Sequence, residues 1–279
     1  MMLTIEAPAK INWFLRVLRR RNDGFHDIGS VIQKVSLADT LQLEEAESTE
    51  ILCDTEISDN IVLRAIERLA RLRKGGQGGM RVTLRKRIPL AAGLGGGSSD
   101  AASALVALNE LWALGLSTDA LVSIASEIGS DVPFFVAAKC ALVTGRGEQV
   151  SPLRVTEAYD LLLVNPGIAV PSGWAYQHNR DIHVVDDMRG HAGPFVDALN
   201  RRDFACLREY MVNSLEGAVL KRYPVIADIK AELRRRGAML SLMSGSGSTV
   251  YGVFEDDAMA RRASSHFGEF WTSVVTTMA

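Results

Sequence analysis

A run of glycines in the middle of the chain limits what this sequence can fold into. Four of the five residues at positions 93–97 are glycine, and Ser98, Ser99 and Asp100 follow directly. Glycine loses more backbone entropy on ordering than any other residue, so an ordered run needs a compensating gain. Binding of an anion can supply this gain, because backbone N–H groups at the start of a helix approach an anion closely where no Cβ atoms are present. We therefore interpret this run as a phosphate-binding loop rather than as a flexible turn.

The residues after the glycines favour this interpretation. Residues 101–114 show helical spacing, with apolar side chains at Leu105, Leu108 and Trp112. No Lys-Ser/Thr pair follows the last glycine, and Ser98 stands where a dinucleotide-binding fingerprint needs glycine, so both common phosphate motifs are excluded. We expect Ser98 or Ser99 to cap the helix and the other hydroxyl to reach a phosphate or its Mg²⁺.

Composition excludes several classes of protein. The 279 residues carry 31 Lys+Arg and 33 Asp+Glu, a formal net charge of −2, which gives no electrostatic case for binding nucleic acid or an anionic membrane. The longest apolar stretch, 132–143, is interrupted by Lys139 and is shorter than the ~20 residues of a membrane span. The N-terminal residues lack the basic and apolar regions of a signal peptide. The three cysteines have neither disulfide-framework nor zinc-site spacing, so we expect free thiols and a cytoplasmic protein.

The order of predicted elements indicates an α+β protein with two domains, residues 1–155 and 156–279. The pattern predicts strands at 11–18, 28–37, 80–84, 160–164 and 250–254, and helices at 59–74 (capped by Asp59), 101–114, 118–128 and 224–236.

Three polar residues outside the glycine run are candidates for chemistry. Lys10 stands at the entry to the first strand, His26 lies in a glycine turn, and Asp131 lies in a turn before Pro133. Each also has an ordinary structural interpretation. These are a solvated lysine, a surface histidine, and an aspartate that caps the segment after it.

Together these segments carry a family resemblance over nearly the whole chain. In order they are residues 8–12 (PAKIN), 24–27 (GFHD), 89–102 (PLAAGLGGGSSDAA), 129–133 (GSDVP) and 244–247 (SGSG). This pattern resembles the GHMP kinases, the superfamily of galactokinase, homoserine kinase and mevalonate kinase. The resemblance implies an N-terminal ribosomal S5-like domain, a C-terminal ferredoxin-like domain and an active site in the cleft between them. It also implies that ATP phosphates lie on Pro89, Leu90, Ala91, Ala92, Gly93, Leu94, Gly95, Gly96, Gly97, Ser98 and Ser99.

By the same resemblance, Asp131 matches the family's base, and Lys10 matches the lysine that holds this aspartate and the acceptor hydroxyl. An alcohol is a weak nucleophile, so a base near its proton helps the transfer of a phosphoryl group. Mg²⁺ is the expected cofactor beside ATP, with unknown ligands.

The N-terminal block resembles one branch of the superfamily, which acts on a small molecule, cytidyl diphosphate methylerythritol. In that branch a Lys-Ile-Asn sequence precedes a turn of glycine, an aromatic residue and histidine. The resemblance implies that Phe25 and Tyr176 sandwich the cytosine, that His26 hydrogen-bonds it and that Asn12 lies near the substrate. Phe25 stands where tyrosine is common, and the neighbouring Trp174 leaves the register at Tyr176 open.

Other functions remain open at this stage. Another GHMP small-molecule kinase, of the homoserine or mevalonate type, would lack the Gly-aromatic-His turn. A catalytically silent nucleotide-binding regulator would not need both Lys10 and Asp131. Asn60 is either an adenine contact or a helix-start residue, and residues 244–247 form either a structural turn or a contact to substrate phosphates. The sequence also leaves open whether the protein is a monomer or a homodimer.

Overall fold

A computed structural model describes residues 2–57, 59–73, 78–183 and 188–279. The chain forms two compact units, each built from separate stretches of sequence. The first unit contains Met1–Ala9, Leu37–Ile88 and Gly95–Ala138, and the second contains Lys10–Ser36, Pro89–Leu94 and Lys139–Ala279. The glycine-rich motif is therefore divided, because residues 89–94 belong to the second unit and the residues from Gly95 onward belong to the first.

The elements follow one another along the chain as strands and helices of mixed order. The strands are β1 (Met2–Arg20), β2 (His26–Ala46), β3 (Glu50–Cys53), β4 (Gly79–Arg85), β5 (Cys140–Thr144), β6 (Gln149–Pro152), β7 (Asp160–Asn165), β8 (Leu240–Met243), β9 (Val250–Phe254) and β10 (Trp271–Thr276). The helices are α1 (Val62–Ala70), α2 (Gly96–Leu111), α3 (Thr118–Ile128), α4 (Val132–Ala137), α5 (Ser172–His178), α6 (Met188–Asn200), α7 (Phe204–Tyr210), α8 (Glu216–Arg222), α9 (Pro224–Arg235) and α10 (Asp257–Ser264).

The first unit contains one part of a sheet and a group of packed helices. Residues 40–46 of β2 pair antiparallel with β4, and β3 pairs parallel with the other side of β4. Helix α1 buries Val62, Ala65, Ile66 and Leu69, which recur every three or four residues and so form one apolar face. That face packs on α2, which in turn packs against α3 and α4. The second turn of α2 is thereby buried in this unit.

In the second unit, an antiparallel sheet of order β10-β7-β9-β8 carries the core. Strand β7 is buried on both faces, which explains the unbroken apolar run Leu161, Leu162, Leu163, Val164. Helices α9 and α10 pack on this sheet. Residues 30–33 of β2 pair with β5, and β5 pairs with β6. Antiparallel sheets with helices packed on them confirm the predicted α+β class.

Most of the predicted elements are confirmed, with longer strands than expected. The predicted strands at 11–18 and 28–37 lie inside β1 and β2, and the helix predicted at 118–128 has those bounds. Helix α9 ends at Arg235, one residue short of the prediction. The boundary predicted near residue 155 is not a limit of either unit. It remains a prediction about domains.

The start of α2 differs from the prediction. The helix begins at Gly96 rather than at residue 101, and neither Ser98 nor Ser99 caps it. Its N-cap is Gly95, whose φ of 72° lies in the left-handed region that glycine adopts without steric cost. A Cβ on Gly96 would lie 3.0 Å from Cγ2 of Ile88, so glycine also lets the first turn approach the preceding segment. The last glycines of the run therefore form the helix start itself.

The start of α1 also differs from the prediction. Asp59 does not cap this helix but forms an ion pair with Arg64. Asn60 instead provides an acceptor at the helix start, since its Oδ1 accepts a hydrogen bond of 3.1 Å from the backbone N–H of Val62. The helix-start interpretation of Asn60 is thus confirmed. The helix ends at Ala70, so the predicted end at Lys74 is wrong. Lys74 itself and the glycines after it lie outside the described residues.

Among the residues that the structure describes, no helix has the length and apolar character needed to cross a membrane.

We expect Asn60→Ala to lower the free energy of unfolding by about 0.5–2 kcal/mol, because it removes the acceptor for a helix-start N–H group. Asp59→Ala is the matched control, and loss of its exposed ion pair should cost only about 0–1 kcal/mol. Urea unfolding of both variants without nucleotide measures the difference. A larger loss for Asp59→Ala than for Asn60→Ala would contradict the assignment.

Candidate active site

The ammonium group of Lys10 lies at the centre of a buried polar cluster in the second unit. Its Nζ donates to Oδ1 of Asn12 at 2.6 Å and to the backbone oxygen of Gly93 at 2.8 Å. Its own backbone N–H donates to the carbonyl of Leu94 at 2.9 Å. Lys10 is 4% exposed, so it is not the solvated lysine of the structural interpretation. Strand β1 and the loop before α2 are therefore joined at this residue.

Asn12 fixes the direction of the Lys10 side chain. Nδ2 of Asn12 donates to Oγ of Ser30 at 2.9 Å, which leaves Oδ1 directed at the ammonium group of Lys10. The hydroxyl of Ser244 donates to the carbonyl of Gly93 at 2.9 Å. The backbone oxygen of Asn12 accepts from the buried hydroxyl of Tyr251 at 2.9 Å. Burial raises the pKa of Tyr251 well above its ordinary value, so this donor stays protonated.

The second glycine-rich segment, residues 244–247, packs directly against the glycine loop. A Cβ on Gly93 would lie 2.0 Å from the carbonyl oxygen of Ser244, and Gly93 has a φ of 76°. The backbone N–H of Thr249 donates to the carbonyl of Ala92 at 3.2 Å. Asn213 holds the segment from the other side, since its Nδ2 donates to the carbonyls of Met243 and Gly245, each at 2.8 Å. The segment is therefore at least a structural partner of the loop.

In the first unit, the start of α2 presents backbone N–H groups. The first N–H groups of any helix have no intrahelical acceptor, and Gly95 supplies no side-chain cap here. Gly97 is exposed, and a Cβ placed on it would meet nothing within 4 Å. Ser98 is half-buried, and the hydroxyl of Ser99 is buried without a hydrogen-bond partner. This open helix start with unused polar groups suits an anionic ligand.

An aromatic cluster forms around the turn between β1 and β2. The rings of His26 and Tyr176 are stacked, with centroids 5.5 Å apart and an interplanar angle of 24°. Burial and the charge of Arg20 lower the pKa of His26, so its imidazole is neutral near pH 7. Phe25 is half-exposed, and the guanidinium of Arg146 lies 5.1 Å from its ring centroid. The predicted cytosine-binding residues Phe25, His26 and Tyr176 are thus neighbours in the second unit.

Helix α5 directs Tyr176 and Trp174 to different neighbours, and the role of Tyr176 toward cytosine remains a prediction. Trp174, two residues earlier, stacks on His178 at 4.6 Å and has the guanidinium of Arg222 5.0 Å from its ring. Residues two apart on a helix point in nearly opposite directions. Trp174 therefore packs on its own unit's helices, and Tyr176 is the residue on His26.

Asp131 belongs to the first unit and directly precedes α4. It occupies the N-cap position, yet its carboxylate accepts no capping hydrogen bond. The capping interpretation is therefore wrong. Asp131 is half-buried, and its backbone has helical angles of φ −87° and ψ −13°. Its role toward Lys10 remains a prediction.

Sequence reasoning missed the residues that hold the site in place. Asn213, Ser30 and Tyr251 all contact the cluster around Lys10 or the segment 244–247. Each stands alone among ordinary neighbours in the sequence, so no local signal marks it. Only the pairing of distant segments brings these side chains to the site.

Two family models match the chain. The model for the N-terminal domain of GHMP kinases matches residues 60–139, and the model for the C-terminal domain matches residues 195–273. The chain belongs to the GHMP kinase family. This GHMP kinase is accordingly an ATP-dependent phosphotransferase, and the predicted fold of the family is confirmed.

Relatives and solved structures resemble this GHMP kinase along its length. The 4-diphosphocytidyl-2-C-methyl-D-erythritol kinase of Thermodesulfovibrio yellowstonii is 41% identical, covering 99% of this chain and 98% of the relative. The enzyme of the same name from Pelobacter propionicus is 40% identical, covering 98% of both. A crystal structure of 4-(cytidine 5'-diphospho)-2C-methyl-D-erythritol kinase matches with a TM-score of 0.85 at 32% identity, covering 99% of this chain and 100% of that one. A crystal structure of homoserine kinase from Cytophaga hutchinsonii matches with a TM-score of 0.76 at 18% identity, covering 100% of this chain and 95% of that one. This similarity shows a shared fold.

We expect Gly93→Ala to destabilise the protein by at least about 2 kcal/mol, because a left-handed alanine is strained and its Cβ collides with the Ser244 carbonyl. Gly97→Ala is the matched control. Its Cβ enters open space in a helix, so it should raise stability by about 0.5–1 kcal/mol. Thermal unfolding of the nucleotide-free proteins compares the two, and equal effects would contradict the close approach at Gly93.

Proposed function

We propose that this GHMP kinase transfers the γ-phosphate of ATP to the tertiary hydroxyl of 4-diphosphocytidyl-2-C-methyl-D-erythritol. The observation that carries the acceptor assignment is the stacked pair of His26 and Tyr176 beside the half-exposed Phe25. Flat aromatic faces suit a nucleobase, and a neutral imidazole can both donate to and accept from its edge. The names of the relatives point to the same acceptor.

Lys10 and Asp131 would act on the acceptor hydroxyl. Asp131 would accept its proton, because its carboxylate has no capping hydrogen bond to occupy it. Lys10 would stabilise the developing alkoxide with a buried charge, which is effective because little water screens it there. Asn12 keeps that ammonium group in place through its 2.6 Å contact. Phosphoryl transfer depends mainly on such positioning and charge stabilisation.

The loop and the start of α2 would hold the ATP phosphates. Residues 92–94 are fixed by hydrogen bonds to Lys10, Ser244 and Thr249, so their backbone is ordered before ligand binds. Gly95 and Gly97 leave the N–H groups of the helix start uncovered. A preorganised backbone binds an anion at low entropic cost.

Mg²⁺ fits the donors at the helix start. Mg²⁺ takes oxygen ligands and is bound together with substrate phosphates in kinases. The unpartnered hydroxyl of Ser99 and the half-buried hydroxyl of Ser98 offer such oxygens, so these two residues would hold it. When bound, Mg²⁺ neutralises negative charge on the transferred phosphate.

Release of ADP tests the acceptor directly. The enzyme is incubated with ATP, Mg²⁺ and one acceptor at a time: the cytidyl compound, mevalonate or homoserine. Release with the cytidyl compound alone supports the proposal. Release with another acceptor would instead make this a different GHMP small-molecule kinase. Binding of ATP without release for any acceptor would favour a catalytically silent regulator.

We expect Asp131→Asn to lower kcat by about 10²–10⁴-fold, because the amide cannot accept the proton of the hydroxyl. The dissociation constant for ATP should stay nearly unchanged, since the side chain acts on the acceptor. Asp119→Asn, an exposed aspartate in the first turn of α3, is the control and should keep its kcat. Near-normal turnover by Asp131→Asn would refute its role as base.

We expect His26→Ala to weaken binding of the cytidyl acceptor by about tenfold or more, because one hydrogen bond and one aromatic face are lost. Calorimetry with the acceptor and with ATP separates the two ligands, and ATP affinity should be retained. Tyr176→Phe keeps the stacking ring and serves as control. Equal losses for both ligands in His26→Ala would contradict a cytosine-binding role.

A further inference from the structure

Three charged side chains are buried together in the first unit, beside the start of α2. Lys86 follows β4, Asp39 belongs to β2, and Asp100 lies in the second turn of α2. Nζ of Lys86 contacts Oδ2 of Asp39 and lies 2.6 Å from Oδ2 of Asp100. All three side chains are at most 4% exposed. Burying charges this deeply costs free energy, so a structural or functional gain must balance it.

The cluster holds the chain on both sides of the glycine loop. On the entry side, Oδ1 of Asp39 accepts from the backbone N–H of Arg87 at 2.5 Å and from that of Ile88 at 2.8 Å. The chain leaves the first unit after Ile88 and re-enters it at Gly95. On the return side, Asp100 is part of the helix that begins at Gly96. Lys86 is the cation that connects these two sides.

Lys86 also lies against the helix start itself. A Cβ on Gly96 would be 3.4 Å from Nζ of Lys86, so the ammonium group packs under the first turn of α2. Asp100 stands three residues beyond Gly97, about 4.5 Å further along the helix axis. A displacement of Lys86 would therefore move the N–H groups proposed to bind phosphate.

We propose that Lys86 is a positioning residue for ATP, which fixes both ends of the loop 89–94 through Asp39 and Asp100. The inference rests on the proposed phosphate-binding role of the loop. Fixing both ends lowers the conformational entropy that the loop would otherwise lose when a nucleotide binds.

The two carboxylates of the cluster are not equivalent. Asp39 accepts two backbone N–H groups as well as Lys86, whereas Oδ1 of Asp100 is buried without a partner. Burial raises the pKa of Asp100 from its ordinary 3.8 to about 7; Lys86 opposes this rise and Asp39 adds to it. Burial alone would lower the pKa of Lys86, but the two carboxylates raise it, so the lysine stays charged.

The decisive variant is the double substitution Lys86→Met/Asp100→Asn. With all groups ionised, the cluster has a net charge of −1 in the wild type, from one lysine and two aspartates. The double variant keeps only Asp39 and also has a net charge of −1, so the contacts of Lys86 are removed without a change of net charge. Lys86→Met alone leaves two buried carboxylates unneutralised and is prone to unfold. Thermal unfolding first establishes that the double variant is folded.

Calorimetry with ATP and Mg²⁺ then measures the effect without any acceptor. We expect the dissociation constant for ATP to rise about tenfold or more in the double variant, and the KM for the acceptor to change little. Arg81→Met is the matched control. Arg81 lies in β4 and, like Lys86, contacts two carboxylates, those of Glu44 and Glu50, but its side chain is exposed. Its ATP affinity should be unchanged. A double variant that binds ATP as tightly as Arg81→Met would overturn the proposal.

Asp100→Asn alone is the second variant, because it removes the charged contact to α2 while Lys86 keeps its contact with Asp39. ATP binding as tight as in Arg81→Met would overturn the proposal in this variant too. Gly97→Ala tests the proposed phosphate-binding role separately from the role of Lys86. Unaltered ATP binding in Gly97→Ala would show that the loop does not bind phosphate.

Discussion

The hydrogen bonds of Lys10 are the interaction on which the proposed chemistry of the second unit depends. One ammonium group binds the side chain of Asn12 in β1 and the backbone of Gly93 in the glycine loop. The same carbonyl of Gly93 accepts from Ser244, so the segment 244–247 is joined to this network. The strand, the loop and the turn are far apart in sequence. A single buried cation thus determines where three of the motifs lie relative to one another within this unit.

Lys10 and Lys86 are both buried but have different described partners, and the difference corresponds to the roles proposed for them. Lys10 donates to neutral oxygens of an amide and a peptide group, so its charge is not cancelled by those partners. Lys86 is held between two carboxylates, which neutralise it. Neutral oxygens hold an ammonium group in position without themselves neutralising it. A cation bound by carboxylates is better suited to holding the chain in position.

The sequence predicted the α+β class and most elements because those depend on local patterns. The alternation in β1, the spacing of α3 and the proline that begins α9 are all visible within a dozen residues. The start of α2 could not be predicted in this way. Its first residues are glycines of low helix propensity, and the side chain of Ile88 leaves little room for a Cβ on Gly96. Local helix propensity predicted that α2 starts at residue 101, but tertiary packing places its start at Gly96.

The candidate site shows the same division between local and distant causes. Lys10, His26 and Asp131 stand in short recognisable motifs, so a family resemblance identifies them. Asn213 has no such motif, although it donates to two carbonyls of the segment 244–247. Asp100 stands out in the sequence only as part of the glycine motif, and nothing local marks its side chain as buried. Its contact with Lys86 depends on where β4 and α2 meet, which no pattern in either segment specifies.

The close approach at Gly93 has a consequence for how this sequence can change over evolutionary time. The atom nearest to its missing Cβ is the backbone oxygen of Ser244, not a side-chain atom. Every residue type at position 244 carries the same carbonyl, so no substitution there can make room for a side chain at position 93. A clash between two side chains can be relieved by a second mutation, whereas this one requires the backbone itself to be rebuilt. Position 93 is therefore closed to substitution in any genetic background that keeps the turn.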